Sequence, residues 1–462
     1  MSSPVPPRPT AILVSVQTPD ISDEQHTADL AELERLVHTL GYDVIDTLTQ
    51  RRETLSKSLV LGEGKLKELA ALTGGRGYVP SSAPAKTDKA RIRRGEGLAD
   101  DDGDDDGDDE HDGDPDRARR PKVVVVDHEI TPSQARNLEQ ATGVDVLDRT
   151  GVIVEIFHRH ARSREARLQV ELARLAYVAP RLREGGAPSE RQAGRGAGDT
   201  ALELDRRRVR DRMAEIRREL ESVLRDHGTR RHLRHGTPTV ALVGYTNAGK
   251  SSLMRALTGS DVLVADQLFA TLDTTVRALY PEAHPRVLVS DTVGFIQKLP
   301  HDLVASFRST LDEARNAALL LYVVDASDPT FRGQYEVTRT VLREIEADQA
   351  PSLLVLNKID RAEPELRAAL TAEFPDAIQL SALDPEDVAR LRQIIIDHVS
   401  KALVEAELFV PYSHHAVVAA LHEHALVLGE THEDEGTRLT VRASAEVLDK
   451  LRAQLDAGVP AA

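Results

Sequence analysis

Cysteine is absent from the 462 residues, which excludes disulfides and thiolate metal sites and is compatible with a reducing cytoplasm. Tryptophan is absent too, and aromatics make up 3%, so stacking single-stranded bases on aromatic platforms is not the expected mode. No apolar run approaches the roughly 18 residues of a membrane span; Ala317 to Val324 is among the longest and reads as a strand. The first residues lack a basic region followed by an apolar stretch, so no signal peptide is expected. No fixed-period repeat is visible.

Positive charge is also in deficit. The formal net charge is −17, which at face value argues against nucleic acid. One segment misleads: Asp100 to Asp116 holds twelve carboxylates and no Lys or Arg, and the remaining chain carries only −5. Such a block self-repels and cannot bury a core, so a disordered insert is expected over about residues 80–121. A solvated loop is preferred there over a nucleic-acid mimic. The basic run Lys86 to Arg94 lies just before it.

What the chain does carry is Gly244-Tyr245-Thr246-Asn247-Ala248-Gly249-Lys250-Ser251-Ser252, directly behind the apolar run Thr239 to Val243. The run reads as a buried parallel strand, and Leu253 to Leu257 behind the loop as a helix. The loop matches G-x-x-x-x-G-K-[ST]. Its glycines let the backbone wrap a polyphosphate with N–H groups pointing inward. The helix N-terminus adds partial positive charge, Lys250 a full one, and the Ser251 hydroxyl would sit on Mg²⁺. A Gly-Lys-Ser surface turn is the plain alternative.

Spacing speaks against that alternative. Val287 to Gly294 is a second buried strand ending in Asp291-Thr292-Val293-Gly294, where Asp291 can hold Mg²⁺ through water and the Gly294 N–H can reach a γ-phosphate. Ser352 to Leu356 runs into Asn357-Lys358-Ile359-Asp360. The Asp360 carboxylate can accept two hydrogen bonds from guanine N1–H and N2–H₂, a donor pair adenine lacks. Ser381-Ala382-Leu383, after Ala377 to Leu380, fits a short loop backing the base. Four motifs in order, each at a strand end, imply GTP binding.

A switch loop also needs a threonine whose hydroxyl closes over Mg²⁺. Within Leu268-Phe269-Ala270-Thr271-Leu272-Asp273-Thr274-Thr275, Thr271 is chosen by its place after Phe-Ala, with Thr274 and Thr275 open on spacing alone. After Gly294 comes Phe295, where Ras-like proteins carry a water-orienting glutamine. Phenylalanine cannot hydrogen-bond water, so slow intrinsic hydrolysis is expected.

Length and patterning predict a multidomain α/β protein of four parts. Residues 1–158 read as a small α/β domain behind a proline-rich tail. Its strands are Ala11–Val16, Tyr42–Leu48 and Lys122–Asp127; its helices are Asp29–Leu40, Gly64–Leu72 and Pro132–Thr142 with Thr131 as N-cap. Leu30, Leu33, Val37 and Leu40 mark the apolar face of the first helix, and Val144–Leu147 and Val152–Ile156 close the region. Residues 159–235 read as an antiparallel helical hairpin: Leu168, Leu172, Leu175, Ala179 and Leu182 match the stripe Val209, Met213, Ile216, Leu220 and Val223. Its Gly-rich joining segment carries Arg191 and Arg195, and its second helix Arg206, Arg207, Arg208, Arg210, Arg212, Arg217 and Arg218, which together favour RNA phosphate contact over a merely solvated face. Residues 236–402 form the GTPase domain. Residues 403–462 read as a small α+β module: helix Ala416–Leu426, strands Ala425–Glu430 and Thr437–Arg442, helix Ala445–Leu455. His414, His415, His422 and His424 there read as surface histidines.

Over nearly its whole length the chain resembles the HflX family of translation-factor-related GTPases. The resemblance rests on Leu40-Gly41-Tyr42-Asp43-Val44, Leu61-Gly62-Glu63-Gly64-Lys65, Leu202-Glu203-Leu204-Asp205-Arg206-Arg207-Arg208, and the phosphate-loop, Leu268–Asp273 and Asp291–Phe295 motifs. It implies that Thr271 is the Mg²⁺ threonine, that a hydrophobic residue belongs at Phe295, and that Asn247 helps hold a K⁺. It implies that the hairpin tip enters the peptidyl-transferase region of 23S rRNA in the 50S subunit and that the protein separates stalled 70S ribosomes. Large-subunit assembly, or a GTP-gated binding module with incidental hydrolysis, are the alternatives. A monomer is expected, cytoplasmic or peripheral to a membrane. One departure stands at Gly196-Ala197-Gly198-Asp199-Thr200, where the family usually has Gly-Pro-Gly-Glu-Thr; loss of the proline should loosen the tip. Gly62-Glu63-Gly64-Lys65 suggests a second nucleotide site, but reads better as a strand-to-helix turn.

Overall fold

A computed structural model describes residues 8–54, 59–79, 120–182, 201–233, 237–260, 268–269, 275–284, 286–298, 308–401 and 403–456. Nearly all of the acidic insert, the hairpin tip with Arg191 and Arg195, and Ala270, Thr271, Leu272 and Asp273 therefore lie outside the described residues. The chain divides into two compact units, Met1–Ile153 and Val154–Ala462. Among the described residues no helix is long and apolar enough to cross a membrane.

The first unit is built on a parallel sheet in the order β2-β1-β3-β4: β1 Thr10–Gln17, β2 Asp43–Arg51, β3 Val123–Val126 and β4 Asp145–Asp148. The four valines of β3 are all buried, as a central parallel strand requires. Helix α1 spans Asp23–Thr39 and starts six residues before the expected Asp29, because Ser22 accepts from the Gln25 N–H and Asp23 and Glu24 occupy the first turn. Leu33, Leu36, Val37 and Leu40 are buried, while Leu30 is only half-buried. Helix α2 is Glu63–Thr73, and α3 is Pro132–Thr142 with a Thr131/Gln134 capping box. Gly62 precedes α2 as its N-cap, its N–H donating to Gln50 Oε1 at 2.9 Å, so this stretch is a strand-to-helix turn.

Val152–Ile156 is not extended but lies inside helix α4, Arg149–His160. The Asp148 carboxylate accepts from the Gly151 N–H at 2.7 Å and starts the helix. Val152, Ile153, Val154, Ile156 and Phe157 are all buried and Glu155 is half-buried, so a single polar position gives too little to betray the period of the run. Arg149, 2% exposed, donates to Asp127 at 2.8 Å and to Glu32.

In the second unit, α5 (Arg164–Val178) and α6 (Ala201–Leu233) pair antiparallel: Arg212 meets Glu171 at 2.8 Å, and Arg164 meets Glu219 at 3.2 Å. Ile216 is buried, and Val209, Met213, Leu220 and Val223 half-buried, along the expected stripe. The first stripe runs out early. Pro180 cannot continue an α-helix, so Ala179–Arg181 is one 3₁₀ turn and Leu182 is extended.

The sheet that carries the phosphate loop has the order β10-β9-β8-β5-β7-β6. Its strands are β5 Thr239–Gly244, β6 Thr275–Ala278, β7 Leu288–Asp291, β8 Leu319–Asp325, β9 Ser352–Asn357 and β10 Ile378–Gln379. Every pairing is parallel except β6 with β7. The helices are α7 Lys250–Thr258, α8 Arg308–Arg315, α9 Phe331–Glu344, α10 Pro364–Glu373 and α11 Pro385–Lys401. Val240, Leu242, Leu253, Leu257, Leu321 and Ile395 share one buried core.

The last part is a three-stranded antiparallel sheet, β11-β13-β12, with helices α12 His415–His424 and α13 Ala445–Asp456. Strands β12 Leu426–His432 and β13 Gly436–Ala443 were expected; β11, Val404–Pro411, was not. Leu408 and Val410 of β11 are buried with Leu439, Val441 and Leu448.

Candidate functional site

Open α/β sheets bind ligands at the carboxyl ends of their strands, and there the four motifs gather. Strand β5 delivers Gly244, β7 delivers Asp291, β9 delivers Asn357, and the chain leaving β10 delivers Ser381. Gly249 stands at φ +94°, and a Cβ there would fall 2.2 Å from Asn357 Nδ2; only glycine fits. Asn247, at φ 59°, uses asparagine's tolerance of the left-handed region.

Lys250 opens α7 and is buried. Its Nζ donates to the Gly244 carbonyl at 3.0 Å and the Tyr245 carbonyl at 2.7 Å, which holds the ammonium inside the curl of the loop. Burial pushes its pKa down to about 8, opposed by the neighbouring Asp291. The Ser251 hydroxyl donates to Asp291 Oδ2 at 2.8 Å. Two hard oxygen donors, one from the first turn of α7 and one from the end of β7, thus meet at one point and fit Mg²⁺. Ser251 and Asp291 are the residues that would hold the ion, which would supply positive charge beside the phosphates.

Between Asp291 and Gly294, Thr292 donates to the Leu242 carbonyl at 2.8 Å and Val293 is buried, so the D-x-x-G turn is fastened to β5. Phe295 is 2% exposed; its N–H donates to the Gly244 carbonyl at 3.1 Å and its carbonyl accepts from the Thr246 N–H at 2.8 Å. Tyr245 is buried, and its hydroxyl accepts from the Gln297 N–H at 2.7 Å. Ala248 is buried and Ser252 half-buried.

On the base side, Asn357 joins two loops. Its Nδ2 donates to the Ala248 carbonyl at 2.8 Å, and its Oδ1 accepts from the Ala382 N–H at 3.0 Å. Lys358 donates to the Asn247 carbonyl and pairs with Asp325, each at 2.8 Å. Ile359 is buried, while Asp360 stands exposed in the 3₁₀ turn that follows, where its carboxylate can accept from a ligand. Ser381 is held by Asp387, which accepts its N–H at 2.8 Å, and Leu383 is exposed beside it.

Two contributors were not anticipated. Asp325 ends β8, and a carboxylate after Leu-Leu-Leu-Tyr-Val-Val was a readable strand-end signal. Phe157 of α4 meets the Phe269 ring edge-on, centroids 4.4 Å apart, and Phe269 is buried at φ 59°; nothing local in the sequence announces this pair. Arg206, Arg207 and Arg208 are exposed near the start of α6.

Three family models match consecutive parts of the chain. "GTP-binding GTPase N-terminal" matches residues 27–78 and 116–158, "GTP-binding GTPase Middle Region" 160–234, and "50S ribosome-binding GTPase" 239–358. A GTPase HflX of Gluconacetobacter diazotrophicus is 60% identical over 452 residues, 98% of this chain and 99% of its own length. A GTPase HflX of Escherichia coli K12 is 36% identical over 92% of this chain and 91% of its own length. A crystal structure of a GTP-binding protein from Sulfolobus solfataricus, in complex with GDP, is similar at 22% identity and a TM-score of 0.41, over 84% of this chain and 98% of that one. Identity of this level over nine-tenths of the chain leaves one assignment: it belongs to the HflX family of GTPases.

Proposed function

We propose that this GTPase binds the large ribosomal subunit in its GTP form and separates stalled 70S ribosomes into subunits, hydrolysis serving to release it. The observation that carries the reading is the pairing of a complete strand-end nucleotide frame with a hairpin helix of 33 residues, about 50 Å long, whose first turns expose Arg206, Arg207 and Arg208. Guanidinium groups in such a run suit RNA phosphates. The description "50S ribosome-binding GTPase" of the model matching residues 239–358 supports the same partner.

In this reading the four parts divide the work: residues 1–158 and the hairpin at 159–235 face the ribosome, residues 236–402 bind and hydrolyse GTP, and 403–462 complete the chain. Thr271 and the Gly294 N–H close on the γ-phosphate; Asp360 selects guanine. With Phe295 buried, turnover by the free protein is slow and the 50S subunit stimulates it. Asn247 would help hold K⁺. The protein acts in the cytoplasm as a monomer.

Sucrose-gradient profiling of vacant 70S ribosomes with GTP or a non-hydrolysable analogue tests this. Conversion to free 30S and 50S with either nucleotide is expected. Binding to 50S with 70S left intact would sink splitting and favour subunit assembly.

A further inference from the structure

Phe295 leaves a question at the reacting phosphate. Its ring is 2% exposed and apolar, so no side chain at that position orients an attacking water. Thr246 lies next to it: its N–H donates to the Phe295 carbonyl at 2.8 Å. A Cβ added at Gly294 would fall 2.9 Å from Thr246 Cγ2 and 3.0 Å from Lys250 Nζ. The Thr246 side chain, the Gly294 backbone and the Lys250 ammonium therefore converge on one spot.

Thr246 is 7% exposed, and its Oγ1 is enclosed with no hydrogen-bond partner among the described residues. An enclosed hydroxyl without a partner is costly, and a valine of the same shape would avoid that cost. The hydroxyl is thus poorly explained as packing, and the side chain that carries it lies, methyl foremost, against Gly294, whose N–H can reach a γ-phosphate.

We propose that the Thr246 hydroxyl orients the water that attacks the γ-phosphate, the task Phe295 cannot perform. The proposal rests on the GTPase assignment and is independent of the ribosome. The water oxygen forms a bond to the γ-phosphorus as the bond to the β–γ bridging oxygen breaks. GDP leaves with that electron pair, and the water's proton passes to the released phosphate. Thr246 accepts a hydrogen bond from the water and donates to a γ-phosphate oxygen, ending unchanged. Its methyl faces Gly294 now, and a turn of about 120° about χ1, between staggered wells, exchanges methyl and hydroxyl on that side.

The test is single-turnover hydrolysis of pre-bound GTP with Mg²⁺ and no ribosomes, alongside fluorescent GTP and GDP titrations. Thr246→Val should slow hydrolysis about tenfold or more with both dissociation constants within about twofold, and Thr246→Ser should stay within about threefold of the parent rate. A Thr246→Val protein that hydrolyses at the parent rate, or Val and Ser variants impaired equally, would overturn the proposal. Should the Val variant fail to bind nucleotide, Thr246→Ala against Thr246→Ser decides on the same criteria. Absence of GTP binding by the parent protein would instead strike the GTPase reading itself.

Discussion

Lys250 and Arg149 are both buried cations at the carboxyl ends of parallel strands, yet their surroundings differ in kind. Arg149, directly after β4, is enclosed by two carboxylates, Asp127 at 2.8 Å and Glu32. Lys250, directly after the phosphate loop, donates to two carbonyls, and its pKa falls to about 8. One charge is neutralised within the protein, and its strand end is filled. The other is desolvated without full compensation, and an anion supplies what is lacking. Exposure alone does not separate a binding cation from a structural one; the charge of its partners does.

Substitution should pull the two apart. Arg149→Met removes the buried cation that Glu32 and Asp127 share and should cost about 3–5 kcal/mol of stability by chemical denaturation, with nucleotide affinity of the folded fraction unchanged. A variant that unfolds at the parent denaturant concentration would end the comparison. Lys250→Met should do the reverse: GTP affinity falls about 100-fold, about 2.7 kcal/mol, while thermal stability without nucleotide holds or rises.

The pH response is the next largest effect. Between about 8 and the ordinary 10.5, the folded protein without nucleotide has released the Lys250 proton and the unfolded chain still holds it, so stability rises with pH across that window. A polyphosphate beside Lys250 favours the charged form, so binding takes up a proton and GTP affinity falls by up to about tenfold per pH unit above about 8. Lys250→Arg, permanently charged, should show a flatter profile from pH 7.5 to 9; ionisation of guanine is common to both proteins. Smallest is Lys65→Ala. Lys65 pairs with Glu68 at 2.8 Å on an exposed face, and its loss should shift stability by less than about 0.5 kcal/mol. A clear loss of nucleotide binding in that variant would reopen Gly62–Lys65 as a site.

The nucleotide frame was legible because its parts are local: glycines, a lysine and carboxylates at fixed offsets behind apolar strands. Helix α3 was legible to the residue because its capping box and proline act within four positions. The start of α1 was missed although Ser22-Asp23-Glu24 signals it, and β11 although Val404, Ala406, Leu408 and Val410 alternate with charged or bulky neighbours. Other features had no local mark. Arg149 and Glu32 are 117 positions apart, and the run Val152–Ile156 reads the same whether extended or helical when Glu155 is its one polar position.

Asn357 carries a consequence for how a ligand assembles on this frame. One amide group fastens Ala248 of the phosphate loop and Ala382 of the loop behind the base. Guanosine and pyrophosphate offered as separate molecules should therefore assist each other, since whichever arrives first restrains the segment the second needs. The fragments would be cooperative, and cutting the amide tie at Asn357 would leave two independent weak binders.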